Sequence, residues 1–231
     1  YQMKITAIVP VKGSSQRVKK KNLRKFSNTS LYELKLDHLK KTNCFDKIII
    51  SSEDDYILEM AKNKKFLTHK RKKYYSTSHV PMSEVYSNIA SEVEGDYIAW
   101  INVTNPLCDH HVYEHAIKKF KSLNKKKFDC LLSAITHKQN FFYRNKPVNF
   151  KRTPWPSSQN LEPLITLPFA ISIVKRIDLI KWRSLVGKKP SFLYLNPIIA
   201  LDIDNSDDFK LAEIIFKQNK FGLKKKDYFV K

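Results

Sequence analysis

The run Ile5-Thr6-Ala7-Ile8-Val9-Pro10-Val11-Lys12-Gly13-Ser14-Ser15-Gln16-Arg17-Val18-Lys19-Lys20-Lys21-Asn22 decides the fold. Its opening is apolar and β-branched, the composition of a strand buried on both faces. It then empties into a loop with one glycine, two serines and five Lys or Arg residues. A loop leaving the C-terminal end of a parallel strand lies at the usual ligand crevice of open α/β sheets. Gly13, Ser14 and Ser15 can turn backbone N–H groups toward an anion, and Lys12 and Lys21 supply charge at the loop ends. The spacing is neither that of a Walker loop nor that of a dinucleotide fingerprint. In so basic a chain, a solvated turn accounts equally for this loop taken alone.

Working outward, strands and helices alternate. Residues 46–51 form a buried apolar run, 96–103 another and 128–135 a third. Helical patterns fall at 30–41, at 53–64 with acidic residues in the first turn, at 82–93, and from an Asp109 cap to about Leu123. Such alternation predicts a mostly parallel sheet covered on both faces. Residues 137–166 are polar, aromatic and proline-bearing, an excursion from the sheet within a single domain spanning 1–231. Strands are expected again at 169–174, 192–195 and 198–203, then a helix from Ser206 to about Gln218 and a frayed, Lys-rich tail at 219–231.

The chain has 231 residues, 42% hydrophobic and 12% aromatic, enough for a full core. No apolar run approaches the length of a membrane span, and the N-terminus shows no signal-peptide pattern. Three widely spaced cysteines without a CxxC motif read as reduced thiols of a cytoplasmic protein. The net charge of +21 raises nucleic-acid binding. However, the charge is 36 Lys against 7 Arg, scattered in short runs, whereas base readout favours Arg clustered with aromatics. Nucleic acid is therefore the weaker reading.

Three further segments carry chemistry. In Leu201-Asp202-Ile203-Asp204, strand geometry would send both carboxylates to one face. Two such oxygens at a strand end suit Mg²⁺ alongside substrate phosphates. The bland alternative is one helix cap and one hydrogen-bonded aspartate. Asn102-Val103-Thr104-Asn105-Pro106-Leu107-Cys108 is a strand exit with small polar groups, either a ligand-reading loop or a plain connector. His110, His111 and His115 lack a zinc-site pattern and read as surface residues at a helix start.

Taken in order, these segments resemble the acylneuraminate cytidylyltransferase family, the CMP-sialic acid synthetases. Pro10, Gly13, Ser15, Lys21 and Asn22 match the family's opening loop, with Lys12 in its arginine position. Thr104, Pro106 and Leu107 match a second motif. Leu201 to Asp204, followed by Asp208 to Glu213, match a third. The resemblance implies a three-layer α/β/α nucleotidyltransferase (GT-A-like) fold, CTP as donor, Mg²⁺, and a homodimer built partly by the excursion. It implies that Lys12, Lys21, Asp202 and Asp204 are catalytic, with the two aspartates holding the metal. Val11, Lys12, Gly13, Ser15, Lys21, Asn22, Arg71 and Ser83 would bind the nucleotide, and Asn102, Arg152 and Gln159 the acidic acceptor.

The departures lie mostly on the acceptor side. Gln16 and Cys108 replace family basic residues, and Asn102 replaces a glutamine. The family's Asn-Gly-Ala-x-Tyr becomes Pro168-Phe169-Ala170-Ile171-Ser172. Phe169 fills space that glycine leaves open. The expected acceptor is thus an acid other than N-acetylneuraminic acid: a modified or smaller sugar acid, or a phosphonate-like acid. A basic nucleic-acid binder, or a family member that binds nucleotide without catalysis, is the competing expectation.

Overall fold

A computed structural model describes residues 3–13, 18 and 20–230. The first strand, β1 (Ile5–Pro10), alternates as the sequence requires: Ile5, Ala7 and Val9 face one core, and Ile8 faces another. A short hairpin, β2 (Lys25–Phe26) and β3 (Thr29–Ser30), leads into α1 (Leu31–Lys40). Ser30 caps that helix by accepting from the Glu33 backbone N–H and donating to its carboxylate. Then come β4 (Lys47–Ser52), α2 (Asp55–Asn63) capped by Asp54, and β5 (Leu67–Lys70). Next are α3 (Met82–Glu92), β6 (Tyr97–Trp100) and α4 (His110–Ser122), the last capped by Asp109 as expected.

β7 (Cys130–His137) runs two residues past its expected end, into the excursion. There a small hairpin, β8 (Phe142–Tyr143) and β9 (Lys146–Pro147), is braced by buried Asn149, whose amide donates to the Gln139 and Glu162 carbonyls at 2.8 Å each. β10 (Leu164–Thr166) returns to pair with the end of β7. β11 (Ser172–Lys175), α5 (Arg176–Trp182), β12 (Pro190–Tyr194) and α6 (Ser206–Lys217) complete the chain of elements.

The central order is β7-β11-β6-β1-β4-β5. All neighbours from β6 to β5 are parallel; β11 is antiparallel to both β6 and β7, and β12 joins β7 in parallel. One face carries a core made with α1, α4 and α6; the other packs Ile98, Trp100, Leu132 and Val174 against α3 and α5. The three-layer, mostly parallel α/β/α architecture is the one the alternation predicted.

Three local expectations fail. No strand forms over 198–203: residues 197–200 make a turn, because Asn196 accepts from the Ile198 N–H through its side chain and Pro197 brings no donor. Residues 201–204 are irregular, tied to the neighbouring loop by Ile203 N–H donating to the Thr104 carbonyl at 2.9 Å. Phe169 is not in a strand; its φ of +50° places it in the left-handed region before β11 begins. The tail is not frayed. Tyr228 is buried, its hydroxyl bonds the Asp109 carboxylate at 3.1 Å, and Lys220 bridges to the same carboxylate at 2.7 Å.

Candidate active site

The C-terminal ends of β1, β4, β5 and β6 open into one cleft of about 860 Å³. Lys12, Lys21 and Asn22 enter it from the loop after β1, Glu53 from the end of β4, and Arg71 from the end of β5. Asn102 and Thr104 follow β6, and Asp202 with Asp204 come from the irregular segment. This is the crevice position that parallel topology favours.

The floor is a buried ion pair. Arg71 donates to Glu53 at 2.8 Å and to the Val11 carbonyl at 3.0 Å. Glu53 also accepts from the Gly13 N–H at 2.9 Å and from the Ser76 hydroxyl at 2.8 Å. Burial pushes the Glu53 carboxyl up, but the Arg71 bond and these other donors outweigh it and hold the group below the ordinary glutamate range. Burial, and then the neighbouring Arg71 charge, pull the Lys12 ammonium below the usual lysine range.

Asp202 lines the same cleft. Burial raises its carboxyl above the ordinary value, Asp204 adds to the rise, and the Thr104 hydroxyl and Lys21 oppose it. Its Oδ1 is sealed from solvent and has no hydrogen-bond partner among the described residues. A buried carboxylate oxygen left without a donor, beside a second carboxylate in the same cleft, fits a hard divalent cation that also takes phosphate oxygens. Lys21 reaches this segment as well, donating to the Ile203 carbonyl at 2.6 Å.

The structure thus brings together Lys12, Lys21, Asn22, Arg71, Asn102, Asp202 and Asp204. Val11 lies beneath them, buried. Gly13 departs from its expected role, because its N–H is committed to Glu53 rather than turned toward the cleft. Glycine is nonetheless required there: a Cβ would lie 2.2 Å from Asp54 Oδ2. Ser15 falls outside the described residues. Ser83 stands in the first turn of α3, where Met82, Val85 and Tyr86 line the cleft instead. Arg152 and Gln159 remain exposed in the excursion, Arg152 donating to the Asn145 carbonyl at 2.8 Å, and neither lines this cleft. Ser172 is buried within β11, while Phe169 does form part of the cleft wall.

Glu53, Tyr75, His79 and Tyr86 also line the cleft, and no motif pointed to the first three. Tyr86 is set edge-on against Trp100, with ring centroids 4.8 Å apart. The lining thus combines a charged set with an aromatic set, Tyr75, Tyr86 and Phe169, which packs against one core cluster. Its cations are interleaved with Glu53, Asp202 and Asp204, unlike the continuous basic stripe a nucleic-acid backbone needs. No helix among the described residues is long and apolar enough to cross a membrane.

Several known proteins are similar to this chain in sequence or in fold. A protein called post-translational flagellin modification protein B, from Campylobacter coli, is 23% identical over 97% of this chain and 99% of its own length. A pseudaminic acid cytidylyltransferase of Campylobacter jejuni is 24% identical over 94% of this chain and 98% of its own. Among solved structures, CMP:2-keto-3-deoxy-manno-octonic acid synthetase complexed with CTP superposes with a TM-score of 0.68 at 10% identity, covering 94% of this chain and 99% of that one. A cytidylyltransferase from Leptospira borgpetersenii does so at 0.62 and 17% identity, covering 98% and 91%. The family described as cytidylyltransferase matches residues 6–158, well over half of the chain, and this protein therefore belongs to the cytidylyltransferase family of nucleotidyltransferases.

Proposed function

We propose that the charged set lining the cleft takes CTP and the aromatic set takes a sugar acid of the pseudaminic acid type, to which the enzyme transfers CMP. The observation that carries this reading is the convergence of Lys12 and Lys21 with Asp202 and Asp204 on one cleft at the strand ends. In the reaction, an acceptor oxygen attacks the α-phosphorus of CTP as its proton is lost. The bond from that phosphorus to the bridging oxygen breaks, and pyrophosphate leaves with the electron pair. Such a transfer needs positioning and charge balance more than covalent help. Lys12 and Lys21 offset phosphate charge, and the Glu53–Arg71 pair fixes the loop that presents Lys12. Asn22 is held by its amide donating to the Lys12 carbonyl at 3.0 Å, and its buried Oδ1, which has no partner among the described residues, offers an acceptor to the nucleotide. Asp202 and Asp204 would hold Mg²⁺, which when bound neutralises charge on the phosphates.

Acceptor choice rests on the aromatic wall. Tyr75, Tyr86 and Phe169 offer packing surface suited to N-acyl or deoxy positions rather than to a fully hydroxylated face. The name of the Campylobacter jejuni relative supports a pseudaminic-type acid. Incubation with CTP, Mg²⁺ and pseudaminic acid, followed by ³¹P NMR, should reveal a CMP diester signal together with pyrophosphate. Consumption of CTP without that signal would refute the assignment.

We also assign a homodimer, because the excursion exposes Phe142, Tyr143 and Trp155 at 55%, 65% and 65%. Phe142 and Trp155 flank Phe150 in edge contacts of 5.4 and 5.1 Å, an apolar patch suited to a second copy. The free thiols of Cys44, Cys108 and Cys130 favour a reducing, cytoplasmic setting.

A further inference from the structure

We infer that Lys35 and Asn105, neither of which lines the cleft, are positioning residues that set the Asp202 carboxylate and the Phe169 wall through one buried cross-brace. The inference rests on the reading of Asp202 as a cation ligand. Residues 201–204 belong to no strand, so no ladder of backbone bonds locates them. Lys21 donates to the Ile203 carbonyl and the Asp208 carboxylate accepts from the Asp204 N–H, and the remaining grip on this segment comes from the 102–108 loop. The Asn105 amide donates to the Ala200 carbonyl at 3.2 Å and to the Pro168 carbonyl at 3.3 Å. Cys108 Sγ donates to the Ile199 carbonyl at 3.1 Å, and the Thr104 carbonyl accepts from the Ile203 N–H at 2.9 Å. A single side chain, Asn105, therefore spans from the segment before Asp202 to the residue before Phe169.

Asn105 is held in turn by a lysine that has no contact with solvent. Lys35 of α1 is fully buried and donates to the carbonyls of Asn105 and Cys108 at 3.0 and 3.3 Å, and to the Tyr113 hydroxyl. Burial pulls its ammonium down to about 8, so keeping a charge there opposes folding. Methionine would fill such a core position without that cost, but it would leave the Asn105 and Cys108 carbonyls without this donor. The lysine is thus best explained by the loop it fixes. Residues that orient metal ligands from behind commonly change metal affinity or activity about 10–100-fold when removed.

Mn²⁺ binding in the presence of CTP and without acceptor, read from the free-ion EPR signal, tests this on wild type, Asn105→Ala, Lys35→Met and Asp202→Asn. CTP affinity without metal and thermal melting are measured beside it. The expected result is that Asp202→Asn loses Mn²⁺, and that Asn105→Ala and Lys35→Met weaken it about 10-fold or more. CTP affinity without metal should stay within about threefold of wild type, since the cations lining the cleft are untouched. Should Asn105→Ala fail to fold, Asn105→Ser keeps a polar group too short to span both carbonyls and is read the same way. Wild-type Mn²⁺ affinity in a folded Asn105 variant, with Asp202→Asn defective, overturns the cross-brace alone. Undiminished Mn²⁺ binding by Asp202→Asn overturns the metal reading and this inference with it.

Discussion

Glu53 and Arg71 meet at 2.8 Å beneath the cleft, their side chains only 13% and 2% exposed, and the same carboxylate anchors the Gly13 N–H. The pair therefore joins the ends of three adjacent strands to the loop that carries Lys12. Glu53→Gln keeps the shape but leaves the guanidinium without its counter-charge, a change that costs on the order of 3 kcal/mol at buried pairs. Urea denaturation should show that loss. A variant as stable as wild type would mean the pair is better solvated than its burial indicates.

The same pair sets an acid limit. The folded Glu53 pKa lies below its unfolded value, so its contribution is complete above the ordinary glutamate value of about 4.3 and is lost as pH falls through the lower folded value. Wild-type stability should drop more steeply below that pH than the stability of Glu53→Gln, as melts across pH 3 to 6 would reveal. Parallel curves would remove the assignment.

Asp202 behaves in the opposite sense. Its folded pKa is raised, so its ionisation weakens the metal-free fold as pH climbs from the ordinary aspartate value to the raised one, and the penalty is complete above that raised value. Asp202→Asn should thus melt at or above wild type without metal, while losing turnover and the added stability that Mg²⁺ gives with CTP. A metal-free melting temperature several degrees below wild type would show that the carboxylate is structural.

Phe169 holds a left-handed backbone conformation on the cleft wall. A left-handed phenylalanine on the cleft wall costs about 1–3 kcal/mol of backbone strain, which glycine would not incur. Phe169→Gly should keep the fold and raise kcat/KM for N-acetylneuraminic acid relative to pseudaminic acid by about tenfold or more. Competition between the two acceptors measures this directly; an unchanged ratio would place the selectivity elsewhere.

How far the sequence could be read depended on where the causes lay. The alternation at Ile5, Ala7, Ile8 and Val9 is local, and the sheet follows from it. The convergence of Asp202 and Asp204 was anticipated on strand geometry, yet no strand forms; Lys21, Thr104 and Asn105 supply the hold instead. Glu53 looked like an ordinary acidic residue in the first turn of a helix. It lies before that helix and turns back to Arg71, a partner 18 residues away. Tyr75 reaches the cleft only through tertiary packing, and no motif marks it. In the tail, lysine-rich composition hid Tyr228, whose burial depends on Asp109 more than a hundred residues earlier. Nothing local marks Lys35 as buried either, since its three acceptors lie 70 to 78 residues downstream.

CTP-dependent transfer of CMP to a sugar acid would release pyrophosphate in a way that depends on both the nucleotide and the acceptor. CTP, UTP, ATP and GTP are each supplied with Mg²⁺, with and without pseudaminic acid, N-acetylneuraminic acid and a smaller sugar acid. The account predicts release with CTP alone among the four, dependent on acceptor and fastest with pseudaminic acid. CTP should also stabilise the protein by about 2.7 kcal/mol at a hundredfold excess over Kd. Equal release from all four nucleotides, or release that ignores the acceptor, would contradict it.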